Sequence, residues 1–241
     1  MDRAKFYEVL RPHMNLTQGN VYGCERLLDY IEANPMNPNI AAYAFATAWW
    51  ESGQTMAPVR EAFWLSEAWR KRNLRYYPYY GRGLVQTTWK ENYQKVAALL
   101  GLDKNFFIDN PDKLLEWEHA VPALFKACEA GIYTGKSFQD YIDAEDESDA
   151  EDFKEYKAAR RVVNGTDKDD TIASLALHFE HALRGGGYTG NPVLPDLQND
   201  LDQSLVARIN ELNQTMQQIA DIANNAVASP KEEAKAATMG E

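Results

Sequence analysis

Long apolar runs are missing from this chain: nowhere in its 241 residues does a stretch approach the roughly 18 apolar residues that a membrane span needs. The first residues, Met1 to Met14, are charged and amphipathic, with Phe6, Val9 and Leu10 at helical spacing. They lack the apolar centre of a secretory signal, so synthesis in a reducing cytoplasm is the expectation. Cysteine is scarce as well. Cys24 and Cys128 give no disulfide framework and suit reduced positions in the core. Basic residues are outnumbered, 25 Lys and Arg against 36 Asp and Glu, for a formal charge of −11. That balance argues against nucleic acid as the main partner. No long segment alternates apolar and polar residues as a half-buried strand does. A short turn or hairpin near Tyr79 to Val85 is the β structure expected.

What remains is helical. With 45% hydrophobic and 12% aromatic residues, the chain can build one good core plus an appendage. Val21, Cys24, Leu27, Leu28 and Ile31 form one apolar face. Trp89 to Leu100, Leu114 to Ala130, Phe153 to Val163 and Ile172 to Leu183 read as further helices. The Gly-rich breaker from Arg184 to Pro192 closes a first domain, set at residues 1–193. Beyond it, Leu205, Ile209, Leu212, Met216, Ile219 and Ala223 step by 4, 3, 4, 3 and 4, the spacing of an a/d seam. Such a helix either packs on the body or forms a tail over residues 194–227. The tail is the reading adopted, with self-association or a virion partner engaged through residues 201–226. Pro, Lys, Glu and Ala dominate residues 228–241, which read as a disordered end.

Two charged features invite a metal and do not earn one. Glu145, Asp146, Glu147, Asp149, Glu151, Asp152 and Glu155 face one Lys154. No Gly sits where a calcium loop turns, so the run reads as a solvated loop or the start of a charged helix. His178 and His181 share a helix face as an i, i+3 pair but bring no further ligand. No metal and no cofactor are expected.

The chemistry centres on Glu51. Asn39 to Glu51 is rich in alanine and follows Pro35 and Pro38, with Asn39 as the expected helix cap. Ile40, Ala44, Ala48 and Glu51 are spaced 4, 4 and 3, which places the acid at the end of an apolar stripe. A carboxyl there is partly desolvated and keeps a proton to donate. The alternative is an ordinary terminal Glu turned to solvent.

Trp50-Glu51-Ser52-Gly53, Tyr80-Gly81-Arg82-Gly83-Leu84-Val85-Gln86, Asn92-Tyr93 and Val163-Asn164-Gly165 occur in that order. Over roughly Leu16 to Leu183, they make the chain resemble glycoside hydrolase family 19, the chitinases and lysozyme-like phage endolysins. The resemblance implies a mainly α, lysozyme-like fold of two lobes around a cleft. It also implies inverting hydrolysis by two carboxyls, which such enzymes hold roughly 6.5–9.5 Å apart. Glu51 resembles the general acid and Glu61, on the following loop, the general base, with Glu67 as the alternative base. Gln86 and Asn92 resemble substrate-binding residues, Thr88 the hydroxyl that orients the attacking water, and Asn164 a residue that contacts glycan. Tyr80 and Arg82, from the same signature, complete the expected substrate-binding set.

The departures point to a substrate. Asn164-Gly165 is followed by Thr166 where a second Gly is common, and the acidic stretch before Phe153 looks like an insertion. The cysteines of plant chitinases and a Cys-rich chitin-binding module are missing. From Arg60 to Arg82, six basic residues stand against Glu61 and Glu67 and interleave with Trp64, Trp69, Tyr76, Tyr77, Tyr79 and Tyr80. Aromatic faces suit sugar rings and positive charge suits an anionic polymer, unless these aromatics are core and the arginines their rim. The expectation is an endolysin-type enzyme that cleaves the β-1,4 backbone of peptidoglycan after another factor releases it to the cell wall. A chitinase and a virion-associated lytic or structural protein are the alternatives.

Overall fold

A computed structural model of the protein describes residues 1–143 and 148–191, together with positions 208, 211, 212, 214–216 and 218. Met1–Pro192 form one compact unit and Val193–Glu241 a second. The described residues of the second unit are helical and exposed, Leu212 and Met216 among them. The rest of the expected tail, the end at 228–241 and the acids at 145–147 lie outside the described residues. No described helix is long and apolar enough to cross a membrane.

The first unit is built on helix α3, Pro38–Glu51. Its cap differs from the expected one. The Asn37 side chain accepts from the backbone N–H groups of Asn39 and Ile40, and Pro38 takes the first helical position, where its missing N–H costs nothing. Asn39 is instead fully buried inside the first turn. The apolar stripe expected on α3 extends right round the helix, because every residue from Ala41 to Trp49 is buried. Alanines on all sides let neighbouring helices approach closely, so α3 has no solvent face along most of its length.

Around it run α1 (Arg3–Leu10), α2 (Gln18–Ala33), α7 (Trp117–Glu129), α8 (Asp149–Ala159) and α9 (Asp169–Gly185). α2 is stopped at its start by a reciprocal cap between Thr17 and Asn20, and it buries Cys24, Leu27, Leu28 and Ile31. α9 lies along α3, and also packs on α1 and α8. Both cysteines are buried and unpaired. A polar chain runs between three of these helices. Asn39 Nδ2 donates to Asp152, Arg184 donates to Asn39 and Glu180, and the Tyr156 hydroxyl donates to Glu180. Asp152, expected on a solvated face, is therefore buried, because it ties α8 to the start of α3.

A second, smaller core gathers Tyr93, Val96 and Ala97 of α5 (Lys90–Leu99), Phe107 of α6 (Phe106–Asp109), Leu114, and Ala123 and Ala127 of α7. α7 thus faces both cores, which gives the mainly helical, two-lobed body expected. Between α3 and α5 the chain forms α4 (Glu67–Asn73) and two two-residue strands, β1 (Val59–Arg60) and β2 (Arg82–Gly83). They pair antiparallel, Val59 with Gly83 and Arg60 with Arg82. The short turn or hairpin expected near Tyr79 to Val85 takes the form of a turn closed between Arg82 and Thr87, beside this more distant pairing.

Candidate active site

Glu51 is the last residue of α3, and the chain reverses immediately after it. Ser52 Oγ accepts from Met56 N at 2.9 Å, and Asn20 of α2 donates to the Gln54 carbonyl at 2.8 Å. Gly23 of α2 lies so close that a Cβ there would collide with the Met56 carbonyl. This reversal carries the chain into β1 and then to Glu61. The Glu61 backbone N–H donates to Gly81 O at 2.7 Å. Its side chain accepts from Tyr76 Oη at 2.7 Å and from Gly81 N at 3.0 Å.

Both acids line one cavity of about 370 Å³, with Tyr76, Val85, Gln86, Thr88, Trp89, Asn92, Tyr133, Val163 and Asn164. A second cavity of about 260 Å³ shares Glu51, Glu61 and Gln86 and extends past Trp50, Val59, Phe63 and Trp64. The two carboxyls therefore stand where two adjoining cavities meet. Trp64 is 72% exposed and Trp89 42%, so each cavity has an indole open to solvent. Gln86 Nε2 donates to Val59 O and Gly83 O, and its side chain lies over Gly81, where any Cβ would meet it at 2.6 Å. Thr88 Oγ1 donates to Gln86 O and Asn92 Nδ2 to Thr88 O, at 2.8 and 2.9 Å. Each of these three side chains is tied to a backbone carbonyl of the cleft wall.

The two acids have different partners. Glu51 Oε1 accepts from Arg160 at 2.7 Å, and the Arg160 side chain is 2% exposed. Glu51 Oε2 has no hydrogen-bond partner among the described residues. Arg160 also donates to the Asp167 carbonyl, which fixes its fork. On the other side, burial and the bond to Glu61 push the Tyr76 phenol up to about 12, so it stays a proton donor toward that carboxylate.

Backbone strain marks the same place. Gln54, Met56, Ala62, Gln86 and Trp89 all have positive φ, between 48° and 75°. Non-glycine residues adopt that region at a cost, and such residues concentrate at functional sites. Of the described non-glycine residues with positive φ, only Lys168 lies away from the cleft segments.

Glu51, Glu61, Gln86, Thr88, Asn92 and Asn164, all expected from the sequence, stand on the cleft wall. Glu67 does not. It accepts from Arg70 and Tyr80, both at 2.9 Å. Burial pushes its carboxyl up, but these bonds outweigh it and hold it below the usual range. Tyr80 and Arg82 must be withdrawn as substrate contacts. They are 1% and 4% exposed, because Arg82 stacks on the Tyr80 ring and donates to Asp112, Pro78 O and Tyr93 Oη. They brace the wall from behind. The basic segment shrinks accordingly: Arg60 and Arg82 pair with Asp112 and Arg70 with Glu67. Lys71, Arg72 and Arg75 remain exposed. Sequence reasoning missed Arg160, Tyr76 as a partner of Glu61, and Tyr133.

Asp112 supplies a pH test of this frame. Partial burial pushes it up, but hydrogen bonds from Arg60 and Arg82 prevail and hold it below its usual 3.8. A depressed carboxyl stabilises the fold above its ordinary value and loses that contribution as pH falls through the folded one. Melting of wild type and Asp112→Asn between about pH 5 and pH 2 is expected to show a gap that closes on acidification. A gap constant with pH would count against the arrangement.

The site is thus a two-acid cleft on a helical body. No family model matches the chain, and no curated protein sequence does. Solved structures that match include chitinases. Chitinase C from Streptomyces griseus HUT6037 shares 17% identity with a TM-score of 0.48, covering 79% of this chain and 78% of that one. A bacterial family 19 chitinase shares 20% identity with a TM-score of 0.40, covering 79% and 97%.

Proposed function

We propose that the protein is an inverting glycoside hydrolase that cleaves the β-1,4 glycan backbone of peptidoglycan, with Glu51 as general acid and Glu61 as general base. The observation that carries this reading is the placement of both carboxyls at the junction of two adjoining cavities. A glycan strand laid through both brings its scissile linkage between them. Glu51, with Oε1 held by Arg160, offers a proton from Oε2 to the leaving oxygen. Arg160 then stabilises the carboxylate left behind. Glu61, whose negative charge is complemented by Tyr76 and Gly81 N, removes a proton from the attacking water. Thr88 orients that water, while Gln86, Asn92 and Asn164 hold the sugar hydroxyl and acetamido groups. The residues need no metal for these steps.

Peptidoglycan is preferred over chitin because Lys71, Arg72 and Arg75 remain exposed in and just after α4 and suit the carboxylates of its stem peptides. Purified protein is expected to release reducing ends from peptidoglycan at least about ten-fold faster than from polymeric chitin, a difference of about 1.4 kcal/mol in barrier. Equal or faster chitin turnover would make it a chitinase. The enzyme is taken to reach the cell wall only after another factor releases it from the cytoplasm.

The heptad-spaced segment at 201–226 is assigned to self-association or attachment to a virion partner. A chain ending after Pro195 is expected to keep its activity on permeabilised bacteria within about two-fold while losing self-association, since an a/d seam serves assembly. An unfolded truncated protein would place that helix in the catalytic core instead.

A further inference from the structure

We propose that Tyr43 and Thr47 hold an internal water beneath the Glu51–Arg160 pair and so act as positioning residues for the proton donor. The inference rests on the reading of Glu51 as general acid. Tyr43, Thr47 and Glu51 follow one another at intervals of four along α3, so they share one stripe, with neighbouring Cβ atoms about 5–6 Å apart. Tyr43 and Thr47 are 0% and 1% exposed. Neither Tyr43 Oη nor Thr47 Oγ1 makes a hydrogen bond of full geometry with any described residue, although the two hydroxyls lie near enough to one another for Thr47 to act on the Tyr43 phenol.

Buried hydroxyls are nearly always satisfied, by protein atoms or by an ordered water. A water needs two to four polar partners, and two adjacent orphaned hydroxyls on one stripe meet that need. Each hydroxyl both donates and accepts. The Tyr43 ring cannot swing away to find another partner, because Phe138 packs edge-on at 5.7 Å and Tyr156 stacks at 5.9 Å. Burial pushes the Tyr43 phenol up, with Cys128 and Glu51 adding to the rise, while Arg160 and the Thr47 hydroxyl pull the other way. The phenol therefore stays protonated. Arg160 holds Glu51 Oε1 from one side. The water supports the same stripe from below, so the carboxyl keeps its aim as its proton leaves.

Thr47→Val removes one hydroxyl at nearly constant shape, Thr47→Ser keeps it, and Tyr43→Phe removes the other. On a soluble glycan oligosaccharide, Thr47→Val and Tyr43→Phe are each expected to lower kcat on the order of ten-fold, as a misplaced catalytic group does, with KM within about two-fold. Thr47→Ser should restore the rate. The double variant should be no slower than either single one, because both remove the same water. The basic limb of the kcat–pH profile should move in Thr47→Val and not in Thr47→Ser. A high-resolution crystal structure of the wild type should show a water within hydrogen-bond distance of both hydroxyls. A dry contact there, an additive double variant, or an unchanged kcat in Thr47→Val overturns the proposal. A wild type that cleaves no glycan refutes the glycosidase reading instead, and the crystal structure then still decides whether the water is present.

Discussion

Glu51→Gln is expected to lower glycan cleavage by on the order of 10³-fold, within the range that general acid catalysis supplies, in a protein that still folds. Gln keeps a carbonyl oxygen for Arg160 but loses both the transferable proton and the charge opposite a guanidinium that is 2% exposed. Weakening that charge-assisted bond costs about 1–2 kcal/mol, visible as a lower melting temperature with an unchanged circular dichroism spectrum. Cleavage of peptidoglycan strands, followed by release of reducing ends, separates the two effects. Near-normal turnover by the folded variant would remove Glu51 from the mechanism.

Glu61→Gln and Glu67→Gln form the second decisive pair. The first is expected to lose on the order of 10²- to 10⁴-fold in kcat, as removal of a general base does. The second should keep kcat within a few-fold and lose stability, because Glu67 ties Arg70 to Tyr80 behind the wall. Arg70 in turn donates to the carbonyls of Ala62 and Leu65 at 2.8 and 2.9 Å, so some loosening of the Glu61 loop should appear as a raised KM. The reverse pattern, with Glu67→Gln inactive and Glu61→Gln active, would exchange their roles.

Much of this frame was legible in the chain, and the misses have physical causes. α2 could be read because Cys24, Leu27, Leu28 and Ile31 repeat at helical spacing behind a capping Thr17. α3 could be read as a helix, but Asn37 and Asn39 are both good caps, and only the preference for Pro at the first helical position selects Asn37. α4 was missed because its seven residues carry charge instead of an apolar face. Periodicity cannot signal such a helix; Ser66 at its start was the available cue. The two acids and four polar residues that line the cavity were named through the family resemblance. Arg160 was not, since Arg160 and Arg161 look alike in sequence, and only the 3-10 turn Arg160–Val162 buries one and exposes the other. Arg82 and Tyr80 failed in the opposite direction. A Gly-flanked arginine beside a tyrosine reads as a ligand contact, and no local pattern reveals an Asp112 waiting 30 residues on.

The left-handed backbone at Ala62 sets a limit on how this protein can be hardened. At φ 48° its methyl group opposes the conformation, so glycine there would relax the native state even as it loosens the unfolded one. Gln54 and Met56, earlier in the same segment, also have positive φ, at 66° and 55°. The routes to a tougher molecule therefore run through the segment that joins the two acids, where greater freedom also widens the range of Glu51–Glu61 separations the cleft visits. Selection for heat resistance and selection for turnover pull on the same few residues, and variants improved in one are to be sought among those impaired in the other.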